Sequence, residues 1–405
     1  MRHEAAREPL TLGEAGAIRL PVGADRLQSL ALYAGIAGVV VTALALLIDP
    51  DYFFRAWLVG WVYWVGVALG CLALSLLHHL THGDWGIVLR RVMEAATRTL
   101  PWMLLLFIPL VFGLDDLYIW VRPEKIQEHE LHALLKDKEP YLNVTFFLIR
   151  QVVYFLIWGA AAFLMSRMSA RQDRGEDPGI TRRMQILAGP SLAGYCLAVT
   201  FASVDWLMSL QPEWYSTIYG VYLMGSQALA ALAFLIAFGL WLARREPLDR
   251  VLHPRLFHDY GKLFFAFVML WAYFSFSQFL IMWSGNLPEE IRFYLERFHG
   301  GWGVVSLALV VFHFALPFVF LLSRDLKRNA RRLVWIAGLM LVMRWVDLLW
   351  QVEPAFHVQN PAMYWTYLAA PVGIGGLWLW LFLWELRKQP LLPVNDPYLA
   401  EALVP

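Results

Sequence analysis

Charged residues are scarce in this chain: they make up 16% of its 405 residues, against about 25% in an average soluble domain. Cysteine is scarcer still, because the only two, Cys71 and Cys196, lie inside apolar stretches. The sequence has no CxxC pair and no CxxCH motif, so it encodes neither an iron–sulfur site nor a c-type haem site. P-loop, HExxH and GxSxG motifs are missing too, so no conventional enzyme site or metal site is visible.

Two further features exclude other classes of protein. The net charge is only +1, so nothing suggests binding to nucleic acid. The first 27 residues contain four arginines and no apolar segment next to a cleavage site. We therefore interpret them as a polar tail and not as a signal peptide.

Apolar residues dominate what remains, at 59% of the chain with a mean hydropathy of +0.53. A helix that crosses the hydrocarbon core of a bilayer needs about 20 largely apolar residues. Ten runs qualify, and their unbroken length predicts helices instead of the short alternating strands of a barrel. The expected fold is an all-α integral membrane protein with spans at 28–48, 56–79, 98–114, 143–166, 185–206, 218–242, 260–284, 301–322, 332–351 and 363–385.

The connecting loops predict the orientation. The side of the membrane that holds both termini carries 24 of the 33 lysines and arginines, and the loops on the other side carry seven. Because basic loops stay inside, we expect a multi-pass protein of the bacterial inner membrane with both termini in the cytoplasm. The outer loops 115–141 and 285–300 mix charged and apolar residues, which indicates short amphipathic elements or docking surfaces for a partner.

An internal repeat is visible in two motifs that lie 142 residues apart. "SVDWLMSLQPEW" ends span 5 and "WVDLLWQVEPAF" ends span 9, and a proline follows each aspartate after seven residues. Spans 5 and 9 run in the same direction, which favours two four-helix units related by an axis along the membrane normal. The predicted organisation is an N-terminal tail 1–27, the first span 28–55, bundles 56–217 and 218–362, the tenth span 363–386 and a C-terminal tail 387–405.

Four ionisable residues stand out inside the predicted spans, all in their outer halves: Arg150, Asp205, Arg344 and Asp347. A charge at the bilayer centre costs at least about 2.5–3.5 kcal/mol, so these side chains should face the protein interior or water. Two interpretations stay open. The residues form buried ion pairs that tie helices together, or they form a polar cluster that conducts protons or faces a quinone.

Other polar groups give weaker signals. Serine and glutamine within a span often bond to a neighbouring helix, and a single histidine is usually a packing residue, but such groups also line proton routes. At the cytoplasmic end of span 2, His78 and His79 are candidates for proton entry. Lys262 and Glu385 lie at inner span ends, where we expect their head groups to extend to the surface. The candidates for the inner part of a proton path are His313, Ser277, Gln278 and Lys262.

Three long strings carry a family resemblance: "FASVDWLMSLQPEWYSTIYGVYLMGSQ" (201–227), "FSQFLIMWSGNLPEEIRFYLERFHGGWG" (276–303) and "MRWVDLLWQVEPAF" (343–356). They resemble the F-subunit (ActF) family of bacterial alternative complex III, within the polysulfide-reductase-type (NrfD-like) membrane subunits. The resemblance covers roughly residues 28–385. It implies a ten-helix subunit with two four-helix bundles and no redox cofactor of its own.

The resemblance also implies partners. The complex oxidises a quinol and passes electrons to cytochrome c, a high-potential iron–sulfur protein or a terminal oxidase. Haems and iron–sulfur clusters are expected in the partners, the quinol in the sister C-type subunit, and lipids around this chain. The expected partners are a homologous ten-helix C-type subunit, a periplasmic iron–sulfur subunit, multihaem cytochrome c subunits, small membrane subunits and a terminal oxidase.

The function of the chain within such a complex is left open by its residues. Members of this family are often labelled quinone-binding, but the C-type subunit builds its quinol site from a histidine and an aspartate. In this chain Arg150 is the ionisable residue in the corresponding region, and an arginine cannot accept a quinol proton. A non-catalytic role in assembly, with Asp205 and Asp347 on an outer proton path, therefore fits better. The alternatives are a quinone-binding catalytic subunit and a stand-alone secondary transporter, although a transporter should place broken helices near the midplane.

Overall fold

The computed structural model describes residues 18–21, 23–125, 129–175, 177–356 and 360–402, so most of the predicted N-terminal tail lies outside the described residues. In these ranges the chain is helical and contains no strand. Within the described residues, ten helices are long and apolar enough to cross a membrane, which confirms the predicted fold class. The spans are Gly23–Ile48, Pro50–Thr81, Arg90–Phe112, Val144–Asp173, Ile180–Leu210, Tyr219–Ala243, Pro254–Gly285, Trp302–Leu322, Ala330–Ala355 and Pro361–Leu386.

The spans are longer than predicted at several ends. Span 2 starts at Pro50 instead of residue 56, because proline suits the first turn of a helix, where no backbone N–H is needed. This extension places Arg55, which we assigned to a loop, inside span 2 and buries it. The corresponding half of the first bundle therefore contains Arg150 and also Arg55, a residue that the predicted spans left out.

Two helices form the centre of the molecule. Spans 2 and 6 pack against each other, and 89% of the apolar window of each is buried. A side-chain carbon added to Gly70 of span 2 would lie 2.1 Å from the carbonyl oxygen of Gln227 in span 6, so the two backbones touch. These spans are the first helices of the two predicted bundles.

The other spans surround this centre in the predicted order. Spans 3 and 5 pack on span 2 with span 4 beside them, whereas spans 7 and 9 pack on span 6 with span 8 beside them. Span 10 lies against span 2, and span 1 lies against span 10. Because ten spans alternate in direction, residues 18–21 and 387–402 lie on the same side of the membrane region, which we call the terminal side. Spans 5 and 9 end on the opposite side of the membrane region, which we call the far side.

Small residues allow the contact between spans 1 and 10. A side-chain carbon on Gly38 would lie 2.4 Å from the backbone nitrogen of Gly373, and one on Gly376 would lie 2.4 Å from that of Gly35. Such close approach is typical of membrane helices, which associate through packing because lipid supplies no hydrophobic driving force between them.

We therefore expect Gly38→Leu to force span 1 away from span 10. Overpacking of this kind costs about 1–3 kcal/mol, so the thermal unfolding midpoint in detergent should fall. Gly159→Leu is the matched control, because a side chain at this glycine of span 4 meets no atom within 4 Å. Equal midpoints for the two variants would contradict the prediction.

Candidate functional site

Asp205 and Arg150 form a two-pronged ion pair between spans 5 and 4. The Arg150 Nη2 and Nε atoms donate to Asp205 Oδ1 and Oδ2 over 2.8 and 2.9 Å. The aspartate is completely buried, and the arginine is 7% exposed. Planar guanidinium and carboxylate groups match in this geometry, so the pair is both strong and directional.

The surrounding side chains complete the Asp205 centre. Tyr154 donates a hydrogen bond of 2.8 Å to Asp205 Oδ2, and the Gln151 amide donates a longer one of 3.3 Å. Arg150 donates its remaining Nη1 atom to the carbonyl oxygen of Tyr141 and lies over the ring of that residue at 3.8 Å. Both carboxylate oxygens accept hydrogen bonds, and all three guanidinium nitrogens donate them. The arrangement is that of an ion pair that holds two helices together.

Asp347 in the second motif has a different partner. Arg344, three residues earlier on the same helix, donates to Asp347 Oδ2, while Tyr222 of span 6 donates to Oδ1. Gln351 donates to the Tyr222 hydroxyl over 3.0 Å. In the first motif Ala202 occupies the position equivalent to Arg344. The two copies therefore share the acid and obtain the base in different ways.

A cavity of about 520 Å³ reaches the Asp347 centre from between spans 7 and 8. Its lining is mainly aromatic and aliphatic, and it extends to Trp350 and Asp347 on span 9. Tyr273 and Phe276 line it and are more than 60% exposed on the outer surface of span 7. The second acid thus borders open space in the membrane region, and this can allow a proton or a small ligand to approach it.

His313 lies next to this cavity in the middle of span 8. Residues Leu309–Ala315 form a π-helical turn, a feature that is often found at functional sites. The imidazole is fully buried against Trp271, with ring centres 4.0 Å apart, and neither ring nitrogen has a hydrogen-bond partner among the described residues. Trp271, Leu309 and Phe314 also line the cavity, so His313 and Asp347 belong to one region.

Two of the predicted inner path residues, Ser277 and Gln278, lie elsewhere, whereas Lys262 lies at the terminal-side end of span 7 with its head group at the surface, as expected. Gln278 accepts a hydrogen bond from Ser216 and donates one to the Tyr294 hydroxyl, so it is anchored to loops on the far side and does not lie in the inner part of span 7. Ser277 is its half-buried neighbour. Lys262 pairs with Asp259 at 2.9 Å, and its side chain is 57% exposed.

His78 and His79 end span 2 as predicted, but neither reaches the surface of the chain. Each is 3% exposed, and His78 packs beneath Trp85. One nitrogen of each ring lacks a partner among the described residues. Neither ring is therefore exposed to water in this structure, although we expected such exposure for proton entry.

A buried charge cluster at the terminal side was not predicted. Arg90 and Arg91 of span 3 donate to Glu94 at 2.9 and 2.7 Å, and Arg98 donates to Glu385 of span 10 at 3.0 Å. Glu385 is 6% exposed, so the expectation that its head group extends to the surface was wrong: a cation inside the protein holds it. The cluster ties spans 3 and 10 together. It also includes Ser169, Asp173, Gln389 and Asp396.

A second unpredicted feature connects the two Val-Asp motifs. The helix Pro288–Phe298 lies in the predicted outer loop and buries Arg297 completely. The Arg297 guanidinium donates to the carbonyl oxygens of Trp350 and Gln351, which are free at the end of span 9, and to Oε1 of Gln211 in the first motif. Burial lowers the pKa of Arg297 to about 10, so it stays charged at neutral pH.

Comparison with models of protein families and with curated proteins gives no match for this chain. Within the described residues, no three histidine, cysteine, aspartate or glutamate side chains lie together as metal ligands would. The geometry of the two acid centres is therefore the main guide to function.

We expect Asp205→Asn to destabilise the protein strongly, because Arg150 then keeps an uncompensated buried charge. Breaking a buried pair from one side costs about 3–5 kcal/mol, which thermal unfolding in detergent can measure. The double variant Asp205→Asn with Arg150→Gln should recover part of the loss, since no charge then remains unpaired. A double variant as unstable as the single one would argue against the ion pair as the cause.

Proposed function

We propose that this protein is a membrane subunit of a quinol-oxidising complex of the alternative complex III type, in which it is not itself catalytic. It lies in the bacterial inner membrane with both termini in the cytoplasm and carries no redox cofactor. The support is the resemblance of three long strings, together with ten spans of which eight form two four-helix groups. Its expected partners are the C-type subunit and the iron–sulfur and haem-bearing subunits above them.

Within this role, the two acids have separate tasks. Asp205 is saturated by Arg150, Tyr154 and Gln151, and it holds spans 4 and 5 together. Asp347 is the proton-exchanging group of the subunit. The observation that carries this assignment is the cavity beside Asp347, since a proton carrier must meet water or another carrier at some stage of its cycle.

Membership in the complex predicts co-isolation. The tagged full-length protein, purified from its native membranes in mild detergent, should carry partners that show haem absorbance, although it contains no CxxCH motif. Untagged membranes taken through the same purification provide the control. Isolation as a single polypeptide without haem, under conditions that keep other respiratory complexes intact, would contradict the proposal and favour a transporter.

A second candidate function is quinone binding by this subunit. The cavity beside Asp347 favours it, since about 520 Å³ lies within the range of about 300–1,000 Å³ of small-molecule sites, and its lining is mostly apolar. Unlike Arg150, the Asp347 carboxylate can accept a proton.

The substitution Asp347→Asn distinguishes the two roles. In vesicles that contain the whole complex, loss of proton conduction should reduce the protons moved per electron while quinol oxidation under uncoupled conditions continues. A quinone-site role predicts instead that quinol oxidation itself falls by the factor of about 10²–10⁴ typical of a lost acid–base group. Unchanged proton movement in a fully assembled complex would reject conduction through Asp347.

A further inference from the structure

Glu353 is a buried carboxyl that the proposed function does not use. It follows Asp347 by six residues at the far-side end of span 9, directly before Pro354, and it is 1% exposed. Its position in the repeat corresponds to Gln211, which precedes Pro212 in the first motif. One copy of the motif thus has a neutral amide where the other has a carboxyl group of the same shape.

Glu353 differs from the other buried carboxyl groups in the described part of the chain. Each of the others has an arginine nitrogen within ion-pair distance, whereas none lies within 4.0 Å of Glu353 there. The paired groups are Glu94 and Asp396 with Arg90, Asp205 with Arg150, Asp347 with Arg344, and Glu385 with Arg98.

The partners that Glu353 does have come from span 10. The Tyr367 hydroxyl donates to Glu353 Oε2, while Oε1 is buried and has no hydrogen-bond partner among the described residues. Tyr364 is a second phenol of span 10 near the carboxyl group. A single neutral donor compensates poorly for a full negative charge that has left water.

The nearby cations are directed elsewhere. The guanidinium of Arg55 in span 2 lies over the rings of Phe356 and Tyr52, at 4.0 and 4.9 Å, and pairs at 3.7 Å with Asp51. The helix Pro288–Phe298 also packs on this turn, but its Arg297 binds backbone carbonyl oxygens, as described above.

From this geometry we propose that Glu353 is a proton-binding site on the far side of the membrane region. The resting carboxyl group is neutral, with its proton on Oε1 and the Tyr367 hydroxyl donating to Oε2. On release, the O–H bond of Oε1 breaks and the proton passes to water at the far side. The positive charge of Arg55, whose guanidinium lies over the ring of Phe356, then moderates the cost of the carboxylate.

Gln211 supports a neutral Glu353. An uncharged side chain of the same shape occupies the equivalent turn of the first bundle, next to an equivalent proline. The protonation of Glu353 is inferred from geometry alone. Its use as the far-side exit for protons from Asp347 rests on the proposed function.

Infrared difference spectroscopy on the whole protein tests the site directly. A protonated carboxyl group gives a carbonyl stretching band that a carboxylate lacks, and alkaline titration should remove it. Glu353→Gln should abolish this band at neutral pH. Glu213→Gln is the matched control and should leave it unchanged, since Glu213 is a partly exposed far-side carboxylate that pairs with Arg292 at 2.8 Å. A full band in Glu353→Gln, or no band in the unmodified protein, would overturn the proposal.

A second variant keeps the test decisive if Glu353→Gln fails to fold. Tyr367→Phe removes the hydrogen bond to Oε2, so the carbonyl band should move to higher frequency without losing intensity. An unmoved band would show that the signal comes from another group and would overturn the assignment. If the band behaves as expected while Asp347→Asn leaves proton movement intact, Glu353 is still a proton site and only the proposed proton route fails.

Discussion

The structure depends on the rule that a charge removed from water needs a partner in reach. The ion pair between Arg150 and Asp205 shows this most clearly. Two guanidinium nitrogens donate to the two carboxylate oxygens, and neutral side chains donate further hydrogen bonds to the same carboxylate. The same rule explains the terminal-side cluster, where Arg98 and Glu385 bring spans 3 and 10 together. These contacts are directional, unlike the apolar contacts around them, so they specify which helix faces lie together.

The same acid stands near the far-side end of spans 5 and 9, and its surroundings give the two copies different properties. Asp205 receives its arginine from a neighbouring helix and is enclosed on all sides, whereas Asp347 receives one from its own helix and borders a cavity. An enclosed ion pair stabilises the fold but is closed to protons and ligands, whereas an ion pair beside a cavity stays accessible to them. The proposed function assigns support to the first acid and proton exchange to the second.

The far-side ends of spans 5 and 9 are also joined to each other. Arg297 binds the last free carbonyl groups of span 9 and the side chain of Gln211 after span 5, so one buried cation spans both motifs. Its acceptors are neutral, and the partial negative charge at a helix C-terminus helps to balance it. The helix Pro288–Phe298 therefore connects the far-side ends of spans 5 and 9 through a single side chain.

Much of the architecture follows from the sequence alone. The length and apolar character of ten runs determine ten spans, since only helices of about 20 residues satisfy their own backbone in lipid. The 142-residue repeat indicated two bundles, and the cost of buried charge singled out Asp205 and Asp347. Which acid pairs with which base was decided only by the tertiary structure, because the pairing depends on which helix faces meet. Local sequence could not show that Asp205 takes Arg150 from span 4, that Glu385 is held inside by Arg98, that Arg55 belongs to a span, or that Glu353 has no cation in contact.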